Sequence, residues 1–527
     1  MRLVRLATVA GRHLAGVPLV LSLASFLACA GPDSAPEPGY LASSHDHPSS
    51  TVPPNIVLVV LDTARADRVS YNGYDRMTTP NLDALTRDSV IYRNAHSTAP
   101  WTLPAHMSMF TGLLPGRHGA TWRAFAEPAE MSLEEILSRP IAFSNSRLLL
   151  PEVLRRSGYT TLGISSNAWV SRRTGFDVGF DDFYESWQQS DRALKAFRWI
   201  PQRFRSWERL SSETRTLSEF ATGDAGQVLS IFRQHLQERG QLREPFFLFF
   251  NLIDPHFPYS PPMSWRYAFS DDLGLGEAIA RFDFHEMSLV AGARQIDVAE
   301  FSPFYDAELS YADFALGRLL TWLREKGYYD ETQIVVTSDH GEHLGEEGHF
   351  SHQFSVAEEL LQIPLVVKYP GSDQAGHVEE SPLVSNLDVY QTILQAAGRT
   401  TPIGRPFGSL DLARMEDFDR EHLIAEYYYS DPFLQAHEDL FEGFSQERNR
   451  TVRRVLFDLD SRYEFVEKNG QSEVLSAPER TDQNGVSAAI DVLNQYLETL
   501  GPGMLTETGD QVDEATLERL RSLGYLQ

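Results

Sequence analysis

Short apolar runs recur along the chain, and each is rich in β-branched or aromatic residues. Such runs are typical of strands that are buried on both faces of a parallel sheet. The runs are Asn55–Leu61, Thr160–Ile164, Pro245–Phe250, Gln333–Thr337 and Pro364–Lys368. Between them lie segments with helical apolar spacing, for example Tyr305–Leu323. Strands that alternate with helices predict an α/β sandwich around a mostly parallel sheet.

Two long stretches interrupt this alternation of strands and helices. Residues 187–223 are rich in Arg, Ser and Trp, and residues 263–303 carry mixed charge with few strand signals. Long insertions in a folded domain are often functional. We therefore expect both insertions to face the substrate.

The pattern changes after Gly398 to shorter and less apolar strands. His422–Ala425 and Arg450–Leu456 are the clearest of these, and a helical segment, Leu517–Leu526, follows near the end of the sequence. Mixed short strands and helices of this kind predict a small α+β subdomain over residues 401–527, packed on the first domain.

The amino terminus has the pattern of a secretory signal. Basic residues precede an apolar segment, residues 14–28, that is too short for a comfortable membrane span. The only cysteine of the chain, Cys29, ends the sequence Phe-Leu-Ala-Cys, which resembles the lipobox of bacterial lipoproteins. We therefore predict a lipoprotein signal peptide over residues 1–28 and a lipid anchor at Cys29. An ordinary signal peptide with an incidental cysteine is the alternative.

The segment after the signal is rich in Pro, Ser and Gly and has almost no large aliphatic residues. Such a composition cannot bury enough surface to fold. We interpret residues 29–54 as a flexible tether. Together with the signal peptide and the anchor at Cys29, it predicts an exported protein that is lipid-anchored at the cell envelope, at the outer membrane or the periplasmic face.

Charge and size narrow the function classes. The chain has 527 residues, 42% of them hydrophobic, which suffices for one large core. Its 46 Lys and Arg stand against 73 Asp and Glu, a formal charge of −27. Such a charge would repel a phosphate backbone, and the sequence has no basic stripe, so nucleic acid is excluded as a partner.

Residues with metal-binding or nucleophilic chemistry follow two of the predicted strands. Asp62 comes directly after the first strand, and Asp339 and His340 follow the strand Gln333–Thr337. The site of an open α/β sheet forms at the carboxyl ends of its strands, where carboxylate and imidazole groups suit a metal ion. Pro104 indicates a helix start that places Thr102 beside the positive end of a helix, where an alkoxide would be stabilised.

These residues lie within a longer series of motifs that resembles the sulfatase family of the alkaline phosphatase-like superfamily. The motifs are Thr79–Leu85, Trp101–Gly112, Asp254–Tyr259, Tyr305–Asp313, Ser338–Gly348, Leu361–Leu365, Asp388 and Leu523–Tyr525. Several motifs in the family's order make coincidence improbable. The resemblance implies an alkaline phosphatase-like α/β/α sandwich as the catalytic domain, residues 55–400.

The resemblance also implies a metal site. Asp62, Asp339 and His340 would hold one divalent cation, and Thr102 would face it both as a ligand and as the nucleophile. The usual Asp-Asp pair of sulfatases is replaced by Asp62 and Thr63. That loss of one anionic ligand leaves the metal open among Ca, Mg, Mn and Zn, with a hard ion slightly favoured by the oxygen ligands.

In addition to Thr102, three histidines fall at motif positions, and the resemblance makes them catalytic candidates. His106 occupies the position of the family's arginine. His256 matches a histidine that contacts the transferred group or protonates the leaving oxygen, and His352 stands where many relatives have lysine. Asp254 and His256 are the only candidates for part of a second metal site.

The nucleophile position departs from the family pattern. Sulfatases carry Cys or Ser there, oxidised to formylglycine, whereas this chain has Thr102, and its only cysteine belongs to the predicted anchor. Formylglycine is therefore not expected. A threonine side chain cannot expel sulfate by carbonyl elimination, whereas attack of an alkoxide on phosphorus needs no such step. Thr102 thus favours phosphorus.

We expect a metal-dependent hydrolase of sulfate or phosphate esters, acting on a small molecule, glycan or lipid. One alternative is a phosphodiesterase or a phosphoethanolamine-type transferase that acts on envelope glycans or lipids. Another, from a different class, is a catalytically silent binding lipoprotein. The sequence indicates neither the substrate nor the oligomeric state.

Overall fold

The central sheet is built around the first apolar run, β1, with parallel strands on both sides. In spatial order its eight strands are β12 (His377–Glu379), β2 (Val90–Tyr92), β11 (Leu365–Lys368), β8 (Thr332–Thr337), β1 (Asn55–Leu61), β7 (Phe246–Leu252), β5 (Thr160–Ser165) and β6 (Asp182–Glu185). Only β11 of these strands runs antiparallel to its neighbours, β8 and β2. The predicted mostly parallel sheet is confirmed.

The computed structural model describes residues 53–121, 141–143, 148–188, 224–270, 302–346, 349–371, 374–380, 382–399, 407–414, 420–429 and, with short gaps, 434–522. The predicted signal peptide, Cys29 and nearly all of the predicted tether lie outside these residues. So do residues 189–223 and 271–301, which make up most of the two predicted insertions. No helix of the described part is long and apolar enough to cross a lipid bilayer.

Alternate residues of β1 enter two different hydrophobic clusters. Ile56, Leu58 and Val60 belong to one cluster, and their neighbours on the opposite face belong to the other. One face packs against α2 (Thr102–Thr111), α4 (Leu150–Arg156) and α9 (Asp388–Ala396), and the other against α1 (Pro80–Thr86), α5 (Asp224–Arg239) and α7 (Ser302–Glu325). Every residue of β1 is buried, as period-two alternation requires of a strand with a core on each side. The fold is the predicted three-layer α/β/α sandwich.

Helix α2 carries the candidate nucleophile at its first residue. Trp101 before it is extended, and Pro104 lies in the first turn, where proline costs the helix no hydrogen bond. The helix ends at Gly112, whose φ of 67° is left-handed, and a Cβ there would come within 2.5 Å of Tyr390 Cδ1. Glycine is therefore required at this end, and Thr102 is fixed at the positive end of the helix.

A second, antiparallel sheet follows the sandwich and confirms the predicted α+β subdomain. It comprises β14 (Leu423–Tyr427), β15 (Val452–Phe457), β16 (Arg462–Lys468) and β17 (Gln471–Ser476), in that order. Helix α10 (Gln483–Glu498) packs on it through Leu493 and Tyr496, in a cluster that also includes Leu114. Helix α11 (Glu514–Ser522) is the last described element.

Short elements complete the described chain. They are β3 (Ala95–His96), β4 (Ile141–Phe143), β9 (His343–Leu344), β10 (Phe350–Ser351), β13 (Val384–Ser385), β18 (Leu505–Glu507), α3 (Pro115–His118), α6 (Met263–Phe269) and α8 (Glu358–Leu361). The buried carboxylate of Glu426 on β14 accepts hydrogen bonds from Gly116 N at 2.6 Å, Tyr496 Oη at 2.5 Å and Arg454 Nε at 3.1 Å. Charge-assisted bonds of this kind are strong, so Glu426 ties the second sheet to α3, the helix that follows α2.

Candidate active site

Four neighbouring strands each bring one polar side chain to the same edge of the sheet. Asp62 follows β1, Asn167 follows β5, Asn251 is the penultimate residue of β7, and Asp339 follows β8. All four side chains are buried, as is Thr102 at the start of α2. The carboxyl ends of parallel strands are where α/β sheets form their sites, and this edge is the candidate active site.

Asp62 is held by two amides. Its Oδ2 accepts hydrogen bonds from Asn167 Nδ2 at 2.9 Å and from Asn251 Nδ2 at 3.0 Å, while its Oδ1 has no hydrogen-bond partner. Burial, and next the negative charge of Asp339, raise the pKa of the Asp62 carboxyl well above its usual value. A nearby cation would reverse that shift.

Asp339 is fixed in the same manner by backbone donors. Its Oδ1 accepts from Thr63 N at 3.0 Å and from His340 N at 2.9 Å. Its Oδ2 has no hydrogen-bond partner and lies 3.4 Å from His106 Nδ1 and 3.3 Å from His340 Nε2. Burial alone would raise the pKa of Asp339, but His340 and then His106 outweigh it and hold that pKa below its usual range.

The two unpartnered oxygens, Oδ1 of Asp62 and Oδ2 of Asp339, make the site fit a metal ion. A buried carboxylate oxygen without a donor is costly unless a cation satisfies it. Candidate ligand atoms of Asp62, His106 and Asp339 all lie within 4.8 Å of one another. His340 Nε2 lies 3.3 Å from Asp339 Oδ2 and so borders the same group. The oxygen ligands favour a hard divalent ion.

His106 lies beside this group, but both of its ring nitrogens are engaged. Nδ1 is 3.0 Å from the carbonyl oxygen of Thr102, which can only accept, so Nδ1 carries the proton. Nε2 then accepts from Asn251 Nδ2 at 3.2 Å. In this tautomer the one lone pair of His106, on Nε2, accepts from Asn251, so His106 could bind a metal only by giving up that hydrogen bond. His106 is therefore a proton donor to the Thr102 carbonyl oxygen, with Asp339 Oδ2 at 3.4 Å from the same nitrogen.

His340 has the opposite arrangement of its nitrogens. Nδ1 lies 2.8 Å from the carbonyl oxygen of Gly341 and so carries the proton, which leaves the lone pair on Nε2. His340 Nε2 lies 3.4 Å from Thr102 Oγ1. A Cβ at Gly341 would come within 1.9 Å of the Glu359 carbonyl oxygen, so only glycine permits this turn. His340 Nε2 can bind a metal or accept the proton of Thr102.

Glu342 joins the two remaining candidate histidines. Its Oε1 lies 2.9 Å from His352 Nδ1, and its Oε2 accepts from Phe257 N at 2.9 Å. His256 Nδ1 donates to the Phe257 carbonyl oxygen, so the carboxylate fixes both loops. The His352 ring centroid lies 5.1 Å from that of His256 and 4.5 Å from that of His340. Burial lowers the pKa of His256 to about 4, and it also lowers the pKa of His352.

Replacing Glu342 with Gln should lower kcat by about 10- to 100-fold, the usual cost of losing a carboxylate that orients a reactive group. The amide keeps the size of the side chain but removes the charge that faces His352 and Phe257 N. Steady-state kinetics and metal titration measure the effect, and metal affinity should stay within about twofold. Glu331→Gln, an exposed carboxylate at the opposite end of the sheet, is the matched control. A kcat equal to that of the control would contradict the orienting role.

The other carboxylate of this region, Asp254, is committed elsewhere. Its Oδ2 accepts from Ala225 N at 2.8 Å, and its carboxyl group is hydrogen-bonded to that of Glu308. Burial and the nearby charge of Asp224 raise the pKa of Asp254 to about 7. Asp254 and His256 belong to no three-ligand group within the described ranges.

Comparison with known proteins gives the family. The sulfatase family model matches residues 54–399, which is most of the chain. The chain belongs to the sulfatase family. The sequence-based recognition of this family is confirmed, and sulfatase-family enzymes use a divalent metal.

Relatives and solved structures similar to this sulfatase-family protein include a sulfatase and a phosphonate monoester hydrolase. The ulvan-active sulfatase of Formosa agariphila is 24% identical over 85% of this chain and 82% of its own. The multifunctional alkaline phosphatase superfamily protein PehA of Trinickia caryophylli is 27% identical over 66% of this chain and 74% of its own. The phosphonate monoester hydrolase of Agrobacterium radiobacter is 18% identical, with a TM-score of 0.58 over 84% of this chain and 95% of its own. The structural match confirms the fold.

Two residues of this sulfatase-family site were not found from the sequence. Asn167 and Asn251 both donate to Asp62, and Asn167 Nδ2 also lies 3.3 Å from Thr102 Oγ1. The signal was present, because each amide stands at the carboxyl end of an apolar run, where the site of a parallel sheet is expected. The structure brings Thr102, Asp62, Asp339 and His340 together at one edge of the sheet, with His106, His256 and His352 around them.

Proposed function

We propose that this sulfatase-family protein is a metal-dependent hydrolase of phosphate or sulfate esters that uses the Thr102 hydroxyl as its nucleophile. The observation that carries the proposal is the position of Thr102 Oγ1. It lies at the first residue of α2, 3.4 Å from the His340 Nε2 lone pair and 3.3 Å from Asn167 Nδ2. A hydroxyl between a base or metal ligand and a neutral donor, at a helix amino terminus, is arranged for activation.

The residues around Thr102 divide the work of the first step. A divalent cation held by Asp62, Asp339 and His340 would neutralise charge on the transferred group and lower the pKa of the Thr102 hydroxyl. Asn167 orients the attacking oxygen through its amide proton, and the positive end of the α2 dipole stabilises the alkoxide.

Bond changes in the two half-reactions balance as follows. In the first, Thr102 Oγ1 releases its proton to solvent and forms a bond to phosphorus or sulfur, while the bond to the leaving oxygen breaks and that oxygen takes up one proton. In the second, water attacks the same centre, the bond to Thr102 breaks, and one proton of the water returns to Thr102 Oγ1. His256 is our proposed donor to the leaving oxygen. Its pKa of about 4 leaves it neutral at neutral pH, so the anionic ester has to raise that pKa on binding.

The nature of the nucleophile favours phosphorus over sulfur. A sulfated threonine has no carbonyl through which sulfate could be eliminated, so water would have to attack the sulfur centre directly. A phosphorylated threonine is turned over by in-line attack, with its charge neutralised by cation and donors. The relationship to an ulvan-active sulfatase supports a sulfated glycan instead. The proposal is therefore ester hydrolysis, and the substrate panel below distinguishes phosphate from sulfate esters.

A substrate panel tests the proposal. Purified protein, freed of metal and then given Mg, Ca, Mn or Zn, should hydrolyse at least one of an aryl phosphate, a phosphodiester, a phosphonate monoester, an aryl sulfate or a sulfated oligosaccharide. Turnover that is unaffected by a chelator, or no turnover with any metal, would refute the proposal. Release that requires a second alcohol would identify a transferase instead.

We also propose that the protein is exported and anchored by lipid at Cys29. The support is the signal-like segment over residues 1–28 and the sequence that ends at Cys29. Wild-type protein should partition with membranes and incorporate a labelled fatty acid. Cys29→Ala should lose the label, and an unlabelled wild type would overturn the proposal.

A further inference from the structure

The last described helix, α11, is bonded to the edge of the candidate active site. Arg519 on this helix donates to the carbonyl oxygen of Ser166 twice, from Nη2 at 2.8 Å and from Nε at 3.2 Å. The same Nη2 lies 2.9 Å from Asp224 Oδ2 at the start of α5. A second contact joins the helix nearby, where Trp187 Nε1 donates to Thr516 Oγ1 at 3.3 Å.

Ser166 is the residue before Asn167, and it also ties β5 to the end of β7. Its Oγ donates to the Asn251 carbonyl oxygen at 2.9 Å and accepts from Ile253 N at 2.9 Å. The carbonyl group that accepts from Arg519 belongs to the peptide unit that leads into Asn167. A shift of that peptide unit moves the Asn167 amide away from Thr102 Oγ1.

We infer that Arg519 is a positioning residue for Asn167, and that α11 is part of the active-site framework. The inference rests on the proposed function, in which Asn167 orients the Thr102 hydroxyl. Arginine suits the task because its planar guanidinium presents several donors in fixed directions, so that one side chain holds both a carbonyl and a carboxylate. Asp224 in turn fixes the guanidinium, which is largely buried.

The amide proton of Trp169 reports the position of Asn167 without any turnover. Trp169 N donates to Asn167 Oδ1 at 2.9 Å, so its exchange with solvent deuterium rises if the Asn167 side chain loses its place. Exchange of a peptide that covers this amide therefore gives a readout that is independent of the substrate.

The test compares Arg519→Ala, Arg519→Lys and the control Glu518→Ala, which removes an exposed carboxylate from the same helix. Arg519→Ala should lower kcat about tenfold, leave metal affinity and KM within about twofold, and accelerate exchange at Trp169. Arg519→Lys should recover part of both effects, since an ammonium group keeps the charge and can make one of the two bonds to Ser166. The control should match wild type.

Two results separate the inference from the proposed function. Unchanged exchange at Trp169 in Arg519→Ala would overturn the inference whether or not the enzyme turns over any ester. A kcat of Arg519→Ala equal to that of wild type, or a loss equal to that of Glu518→Ala, would also overturn it. If the wild type turns over no ester but exchange at Trp169 is faster in Arg519→Ala, the proposed function is wrong. Arg519 would still be the residue that positions Asn167.

Discussion

Replacing Thr102 with Ala should lower kcat by at least about 10³-fold, since it removes the proposed nucleophile and leaves the rest of the site in place. Thr102→Ser should keep measurable turnover because it retains the hydroxyl at the first residue of α2. Steady-state kinetics on the best ester of the panel measures both variants. Acid-quenched wild-type enzyme should yield a Thr102 peptide that carries phosphate or sulfate, and its mass and lability identify the element transferred.

Thr111→Ala is the matched control for a lost hydroxyl on the same helix. Thr111 Oγ1 is buried and donates to the Met107 carbonyl oxygen at 2.7 Å at the far end of α2. Its loss should cost about 1 kcal/mol of stability and little activity. Full activity in Thr102→Ala, or equal losses in the two variants, would refute Thr102 as the nucleophile.

Chelation of divalent metal should abolish turnover, and return of the metal should both restore it and stabilise the fold. At a metal concentration 100 times Kd the gain in unfolding free energy is about 2.7 kcal/mol. Asp62→Asn should lose this gain. Without metal, however, Asp62→Asn should be more stable than wild type at neutral pH, because burial and Asp339 disfavour the charged form of Asp62. Thermal unfolding with and without metal measures both effects.

The sign of the pH dependence follows from the raised pKa of Asp62. In metal-free protein the folded state keeps the proton of Asp62 to a higher pH than the unfolded state does, so stability falls as pH rises above the usual aspartate pKa. That fall should be smaller in Asp62→Asn. Asp330→Asn, an exposed carboxylate at the other end of the sheet, should behave as wild type. A metal-dependent gain that survives Asp62→Asn would remove Asp62 from the metal site.

The sandwich could be predicted because burial on both faces leaves a simple mark on the sequence. Every residue of β1 is buried, so its apolar run is unbroken apart from Asn55 at its start. The direction of a strand leaves no such mark. Pro364–Lys368 looks like the parallel strands, yet β11 is antiparallel to β8, since direction is set by the connection and not by the burial of the strand itself.

The candidate site could be predicted for residues that belong to motifs, but not for residues whose role depends on their neighbours in the folded protein. Asp62, Thr102 and Asp339 stand at strand ends or a helix start within recognisable motifs. The role of Asn167 depends on β7 lying beside β1 and on β5 lying beside β7, an order that the sequence does not state. The hydrogen bond from Arg519 to Ser166 joins residues 353 positions apart, and no local sequence pattern predicts a contact over that distance.

In Asp62 and in Asp339, one carboxylate oxygen accepts hydrogen bonds from N–H donors and the other has no hydrogen-bond partner. Each carboxylate can therefore offer a cation a single oxygen. With His340 Nε2 the protein supplies few donors, and substrate oxygens and water must complete the coordination. Cation and anionic ester should therefore tighten each other's binding by the same factor, because linkage is reciprocal. Metal affinity measured with inorganic phosphate present should exceed the affinity without it, and equal values would contradict this coupling. The enzyme would then take up its metal together with its substrate, at cation concentrations that leave the free protein largely unmetallated.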